Sequence, residues 1–559
     1  MNKQTAQLLE QHFDTAFAAP DGIAKLRELI LTLAMQGHLV EQDPNDPPAS
    51  ELLKEIEAEK QRLVKAGKIK QPKPLPPIKP EDVPYDLPKG WGWVRLGEIG
   101  QTQTGTTPKS GDNSSYGTDI PFIKPADIRA DSVDYSNEGL SISGVEKYGR
   151  LAPAGSSLMV CIGTIGKTNI INRDCSFNQQ INAVTPYKPL FPSCIQQFIR
   201  SSFFQAECWK QSSSTTIAIL NKGKWESIPV ALPPLPEQHR IVARIDQLMA
   251  CCDALEKLRK EREEKRLAVH AAAIKQLLDA PDGSAWDFIQ KHFGELYTVK
   301  ENVAELRKAI LQLAIMGRLV PQDPNDQPAS ELLKEIEAEK QRLVKAGKIK
   351  KPKLLPPIKP EEVPYELPQG WEWVRLGEIV SLLGDGIHGT PTYDETGEYF
   401  FINGNNLSDG VIEIKENTKR VSITEYEKRK KELTDRTVLV SINGTIGNVA
   451  FYGGEPVMLG KSACYLNLFT QIEKHYIKKL INSSYFLEYA FKSATGSTIK
   501  NVSLKAMREF CIPLPPLPEQ HRIVARIDQL MALCDILDQQ IDAATGKQTE
   551  LLNAVMAQV

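Results

Sequence analysis

Long stretches of this 559-residue chain occur twice, several of them letter for letter. SELLKEIEAEKQRLVKAGKIK at 50–70 returns unchanged at 330–350, a shift of 280. LPPLPEQHRIVARIDQLMA at 232–250 returns at 514–532, a shift of 282. WGWVRLGEI at 91–99 returns as WEWVRLGEI at 371–379, and QHF at 11–13 as KHF at 291–293. Self-similarity at a near-constant offset makes each copy a structural unit, and two matched units in one chain favour a pseudo-two-fold plan, as in a homodimer fused end to end. A chain this long cannot share one core in any case and should divide into several domains.

Two segments escape the repetition, about 100–230 and 380–511, nearly equal in length but diverged. Faint landmarks still align them: CIGTIGKTNI at 161–170 with INGTIGNVAF at 442–451, and STTIAI at 214–219 with GSTIKN at 496–501. The plan is therefore constant block, variable segment, constant helix, twice over. It gives a helical block with a Pro-rich linker over 1–90 and a first variable domain over 91–231. A constant helical region follows over 232–370, then a second variable domain over 371–513 and a closing helix over 514–559.

In the constant helix, Pro236 suits the first turn, where its missing N–H costs nothing. From there no Pro or Gly interrupts the chain to about Leu278, and roughly 40 residues span about 60 Å. Ile241, Ile245, Leu248, Cys252 and Leu255 alternate spacings of four and three, and Ile523, Ile527, Leu530, Cys534 and Leu537 repeat them. That is the seam of a coiled coil, and the two long helices are expected to pair along it or to dock partners there. The preceding block predicts a helix near 22–36 closed by Gly37 and another near 51–66, with Ser50 as N-cap and Gly67 just past its end. KQPKPLPPIKPEDVPYDLPKGW then reads as a stiff extended linker leading to Trp91 and Trp93.

Both variable segments carry short β-rich runs, SSLMVCIGTIG and RTVLVSINGTIG, between turn formers, and predict mixed α/β domains. Their charge is nearly balanced, 12 Lys and Arg against 10 Asp and Glu over 100–230, and 16 against 15 over 380–511. Contact with nucleic acid would then use a few placed side chains rather than a broad positive field. Lys124 and Arg129 in FIKPADIR, Asn178, Gln179 and Gln180 in CSFNQQINA, Asn403, Asn405 and Asn406 in FINGNNL, and Lys461 and Lys500 are candidates. Asn and Gln can bind adenine in two-pronged fashion, and Arg or Lys can bind guanine.

No catalytic constellation is visible. GKT at 166–168 hints at a phosphate loop, but the required glycine is Cys161 and the second copy reads Gly447-Asn448. DPPA at 46–49 nears a methyltransferase tetrad, but its last position is Ala49 and the other copy reads Asp326-Gln327-Pro328-Ala329. Nine scattered cysteines without CxxC pairs and eight unclustered histidines suggest no zinc site, no other metal and no disulfide framework. No apolar run approaches a membrane span, so the chain is expected to be cytoplasmic.

PLPEQHRIVARID closing each variable segment, GTIG within each, and two variable domains set between repeated helical blocks resemble the specificity subunit of Type I restriction–modification systems. The likeness covers almost the whole chain. It implies an α+β fold: two mixed α/β target recognition domains separated by long antiparallel coiled-coil helices in a pseudo-two-fold internal repeat. Each domain would read one half of an asymmetric double-stranded DNA site, with the two readers held about one helical turn, roughly 34 Å, apart. The constant helices would set the spacer and dock two modification subunits carrying S-adenosylmethionine-dependent adenine-N6 methylation. Restriction subunits bringing ATP, Mg and endonuclease activity would join them. The resemblance implies no catalytic residue and no cofactor on this chain. Its full constant block before the first recognition domain departs from the shortest family members.

Overall fold

The computed structural model describes residues 3–109, 111–213, 217–279, 283–496 and 500–557. Residues 214–216 and 497–499 of the landmark runs STTIAI and GSTIKN lie outside the described residues. The chain forms two compact units, residues 1–262 with 544–559, and residues 263–543. The second unit contains the end of one long helix, a group of constant helices, a variable domain and the start of another long helix. The first has the same parts, its long-helix end supplied from the far end of the chain. Thus the helix Leu235–Asp279 starts in the first unit and finishes among residues of the second, and Leu517–Met556 does the reverse. Among the described residues no helix is long and apolar enough to cross a membrane.

The constant helices follow their local chemistry closely. Gly22–Met35 closes at Gly37, whose φ is 71° and where a Cβ would lie 2.4 Å from Pro88 Cγ. Only glycine meets both demands. Ala49–Lys65 ends as the sequence suggests, with Gly67 at φ 67° and Lys68 N–H donating to the Leu63 carbonyl at 3.0 Å. Its start corrects the expectation for Ser50. The N-cap is Pro48, and the Ala49 N–H donates to the Gly90 carbonyl at 2.7 Å. A carbonyl at the end of the linker satisfies the helix start, so Ser50 falls in the first turn.

The seam of each long helix also packs on the constant helices of its own unit. Ile241, Ile245 and Cys252 are buried, and Leu248 partly so, in one cluster with Ile23, Ile30 and Ala34 and with the floor of the variable domain. Arg27 reaches from that constant helix to Asp253 and Glu256 at 2.6 and 2.8 Å. Leu255 stays exposed. In the second unit Ile523, Ile527 and Cys534, with Leu530 and Leu537 partly buried, join Ala309, Ile310 and Ala314. There Arg307 meets Asp535 and Asp538 at 2.5 and 2.8 Å. An alternating four–three stripe specifies an apolar seam but not its owner, and the constant block supplies a partner within the unit. The long helices still share a core: Ala273, Ile274 and Leu277 of the first join this second-unit cluster. Leu552 and Val555 of the second pack on Ala16, Phe17, Ala19 and Leu29 in the first unit.

The variable domains keep one topology despite their divergence. The first pairs Gly100–Thr104, Ile181–Pro186, Ser157–Val160 and Thr168–Ile170 in that spatial order. The second pairs Val380–Asp385, Ala463–Leu468, Thr437–Ser441 and Val449–Phe451. The central strands SLMV and TVLVS are buried along their whole length, which their continuous apolar and β-branched content permits. A three-stranded sheet accompanies each, centred on Tyr116–Ile123 in the first domain and Tyr399–Ile402 in the second.

Candidate nucleic-acid interface

Each variable domain enters and leaves through one two-stranded stem. Gly92–Arg95 pairs antiparallel with Pro229–Leu232, and Glu372–Arg375 with Cys511–Leu514. The repeated PEQHR letters lock this stem. Trp91 Nε1 donates to Glu237 at 2.9 Å, and Trp371 Nε1 to Glu519 at 3.0 Å. Gln238 accepts from Phe191 N–H at 3.2 Å and donates to the Pro233 carbonyl at 3.0 Å; Gln520 does the same with Glu473 and Pro515 at 2.8 and 2.9 Å. Arg240 pairs with Asp46 at 2.7 Å and Arg522 with Asp326 at 2.6 Å, tying the DPN turn to the helix. Burial pushes the Glu237 and Glu519 carboxyls above the usual carboxylate value, and the tryptophan donors pull the other way.

A buried arginine fixes the Pro-rich linker beneath the same stem. Arg95 donates to the Pro76, Pro77 and Ser227 carbonyls at 3.1, 2.9 and 2.7 Å and pairs with Asp82 at 2.6 Å. Arg375 repeats this with Pro356, Pro357 and Glu509 at 3.3, 3.1 and 2.5 Å, and with Glu362 at 2.8 Å. The linker is extended but is not a free spacer.

Within each domain the diverged loops line up. Phe122 and Ile123 pair parallel with Ser176 and Phe177, so the chains leaving both strands, 124–129 and 178–180, emerge side by side. Asn178 N–H donates to the Ile123 carbonyl at 3.0 Å, Cys161 N–H to Gln180 at 2.8 Å and Leu220 N–H to Cys161 at 2.8 Å. These bonds build a strip from Lys124 through Gln180 and the GTIG turn to Ile219. The second domain repeats it: Gly460 N–H to Ile402 at 2.8 Å, Ile442 N–H to Ser462 at 3.0 Å and Val502 N–H to Ile442 at 2.9 Å. The strip's shape is thus shared while its side chains differ.

GTIG answers a backbone requirement. Gly163 and Gly166 have φ of 82° and 97°, and Gly444 and Gly447 75° and 93°. A Cβ on Gly166 would lie 1.9 Å from Gln205 Oε1, whereas one on Gly163 would meet nothing within 4 Å. The turn therefore packs on one side and stands open on the other.

The candidate residues divide by burial. Asn178 is buried and bonds Gln180 through its own amide, which donates to Gln180 Oε1 at 3.0 Å and accepts from the Gln180 N–H at 3.1 Å. Asn406 is buried and holds the Glu413 carbonyl at 2.9 Å and the Asn403 N–H at 3.0 Å. Both amides shape the loops rather than face outward. Asn403 is half-buried and accepts from Ser462 Oγ at 3.1 Å, joining two neighbouring loops of the second strip. Lys124, Arg129, Gln179, Asn405, Lys461 and Lys500 are exposed. Lys124 pairs with Glu138, Arg129 with Asp134 at 2.6 Å, and Gln179 accepts from Thr107. Exposed pairs of this kind are worth little and can exchange partners readily.

Sequence reasoning missed Thr107, Lys167, His388, Asn443, Ser462 and Asn501. Lys167 donates to the Pro125 carbonyl at 2.8 Å, and His388 sits 2.7 Å from Asp385. The GTIG landmark marks part of this edge, but only non-local strand pairing shows what lies beside it. Among the described residues, no group of three or more His, Cys, Asp or Glu is placed to hold a metal ion.

Comparison with known proteins places the chain in a family. The family model for the Type I restriction modification DNA specificity domain matches twice, over residues 88–264 and 368–545. The EcoAI specificity subunit of Escherichia coli is 34% identical over 566 residues, covering 95% of this chain and 92% of that protein. The Escherichia coli EcoEI specificity subunit is 31% identical over 557 residues, covering 96% and 93%. The crystal structure of the HsdS subunit from Thermoanaerobacter tengcongensis covers 85% of this chain and 98% of its own at 18% identity and a TM-score of 0.43. Two family-model matches spanning both variable domains and most of the long helix after each, with relatives alike over nearly their whole length, establish that the chain belongs to the specificity subunits of Type I restriction–modification systems.

Proposed function

We propose that each variable domain reads one half of a bipartite, asymmetric DNA site through its exposed strip, and that the constant helices set the spacer between the halves. As a specificity subunit the chain is the non-catalytic, DNA-recognising member of its system. One observation carries the reading: two stems clamped by the same residues present strips of one backbone shape and different side chains. Lys124, Arg129 and Gln179 in one, and Asn405, Lys461 and Lys500 in the other, offer the donors and acceptors that base edges and phosphates need.

The constant blocks would dock two modification subunits, with restriction subunits joining that core. Identical exposed helical residues over 50–70 and 330–350 support paired docking. An apolar groove of about 710 Å³ in the second unit, lined by Trp286, Phe293, Leu306, Leu530, Leu533 and Leu537, offers that unit a further contact surface. S-adenosylmethionine, ATP and Mg belong on the partners, with none held by this chain. Purifying the chain with its modification subunits and footprinting genomic fragments tests the reading, together with sequencing of methylated adenines. Two unlike protected tracts separated by a tolerant spacer are expected. One continuous palindrome would contradict it.

A further inference from the structure

Residues 217–220, beside the first GTIG turn, expose two side chains that packing does not explain. Ser213 and Ile219 exchange backbone hydrogen bonds at 2.9 Å each way, and Gly163 N–H donates to the Ala218 carbonyl at 2.9 Å. The segment is thus held against the turn. Yet Ile217 is 58% exposed and Ile219 43%, while Leu220 is buried. In the second domain the position of Ile219 is taken by Asn501, which accepts from Asn443 Nδ2 at 3.2 Å, and that of Ala218 by exposed Lys500. Ile217 corresponds to Ile499, outside the described residues, so the two copies part chemically at the next two positions, Ala218 and Ile219 against Lys500 and Asn501.

Two isoleucines left half in water forgo burial that most isoleucines achieve. They continue the strip that carries Lys124 and Gln179, and the apolar feature a base edge offers in the major groove is the C5-methyl of thymine. We infer that Ile217 and Ile219 are specificity-determining residues of the first domain and read a thymine methyl in its half-site. This rests on the strip being the DNA-facing edge. Gln179 and Lys124 supply the polar contacts beside them, and Lys500 and Asn501 give the second domain a different preference at the corresponding place.

Deoxyuridine removes that methyl and nothing else. The chain assembled with its modification subunits is titrated with duplexes in which each thymine of the first half-site is replaced in turn. At least one replacement should weaken binding about fourfold, the worth of one buried methyl. Ile217→Ala with Ile219→Ala, and separately Ile219→Asn, should abolish that sensitivity while recognition of the second half-site persists. Indifference to deoxyuridine at every position overturns the inference, as does a loss that both variants reproduce in full. Variants that no longer assemble with the modification subunits would put the isoleucines in a protein contact and also overturn it. Failure of the underlying reading looks different: the complex would show no sequence-specific binding at all.

Discussion

Replacing Arg375 by methionine should loosen the second linker and destabilise the unit it braces. The Arg375 side chain is 3% exposed and donates to the Pro356, Pro357 and Glu509 carbonyls and to Glu362. Methionine fills much of the volume but donates nothing. Each bond to a charged group is worth roughly 1.5–3 kcal/mol, and breaking a buried pair costs roughly 3–5 kcal/mol. Glu362 is about one-third exposed and regains water, and the arginine's own desolvation cost disappears. The net loss should therefore be about 3 kcal/mol. At roughly 2–4 °C per kcal/mol for a unit of this size, the melting midpoint should fall by about 6–12 °C. Calorimetry reads the shift. Hydrogen exchange should rise over 350–365 more than in the strand Thr437–Ser441. Arg375→Lys should fall between, since one ammonium cannot replace the fork. A loss below about 1 kcal/mol with an unchanged linker would refute the clamp.

Three further outcomes are expected. The Arg375 fork, followed by the Lys359 N–H, holds the Glu362 carboxyl down at about 2, below its usual 4.5. A depressed carboxyl stabilises the fold above its ordinary pKa and loses that contribution as pH falls through the folded value. Stability should thus decline between about pH 4.5 and 2, less steeply in Arg375→Met; equal slopes in urea titrations would contradict this. Glu519→Ala strands the buried Trp371 Nε1, which donates to Glu519 at 3.0 Å, and should cost about 1–3 kcal/mol in urea midpoint without changing the bases read. Glu519→Gln should cost less. A heptad inserted after Arg262, with another after Ala544, lengthens each long helix by about 10.5 Å. The methylated sites should then show a longer spacer, up to about three base pairs; an unaltered spacer would refute the helices as its ruler.

Local chemistry was legible and long-range pairing was not. Gly37, Gly67 and Pro236 mark helix ends by themselves, because backbone conformation and missing N–H groups act within a turn. The duplication made the modular plan legible, since only two segments depart from it. Ser50 misled because the Gly90 carbonyl satisfies the helix start instead. The four–three stripe marked an apolar seam but not the constant helices that also pack on it, because apolar spacing carries no address. Arg95 and Arg375 gave no signal, since each is a lone arginine until the chain folds back on it. At the candidate edge, residue types suited to bases were visible, but Asn178 and Asn406 look like Gln179 and Asn405 until burial separates them. Ile217 and Ile219 gave no signal beyond the STTIAI landmark, because their exposure shows only in the fold.

The account depends most on two different reading domains being interchangeable on one stem. Residues 100–229 and 380–511, whose last residues Pro229 and Cys511 sit opposite Arg95 and Arg375 in the two stems, can be exchanged within the chain, leaving Trp91, Arg95, Glu237 and their second copies untouched. Sequencing methylated adenines in a host carrying the exchanged subunit should then return both half-sites in reversed order across the original spacer. An unchanged site, or failure to assemble with the modification subunits, would contradict it.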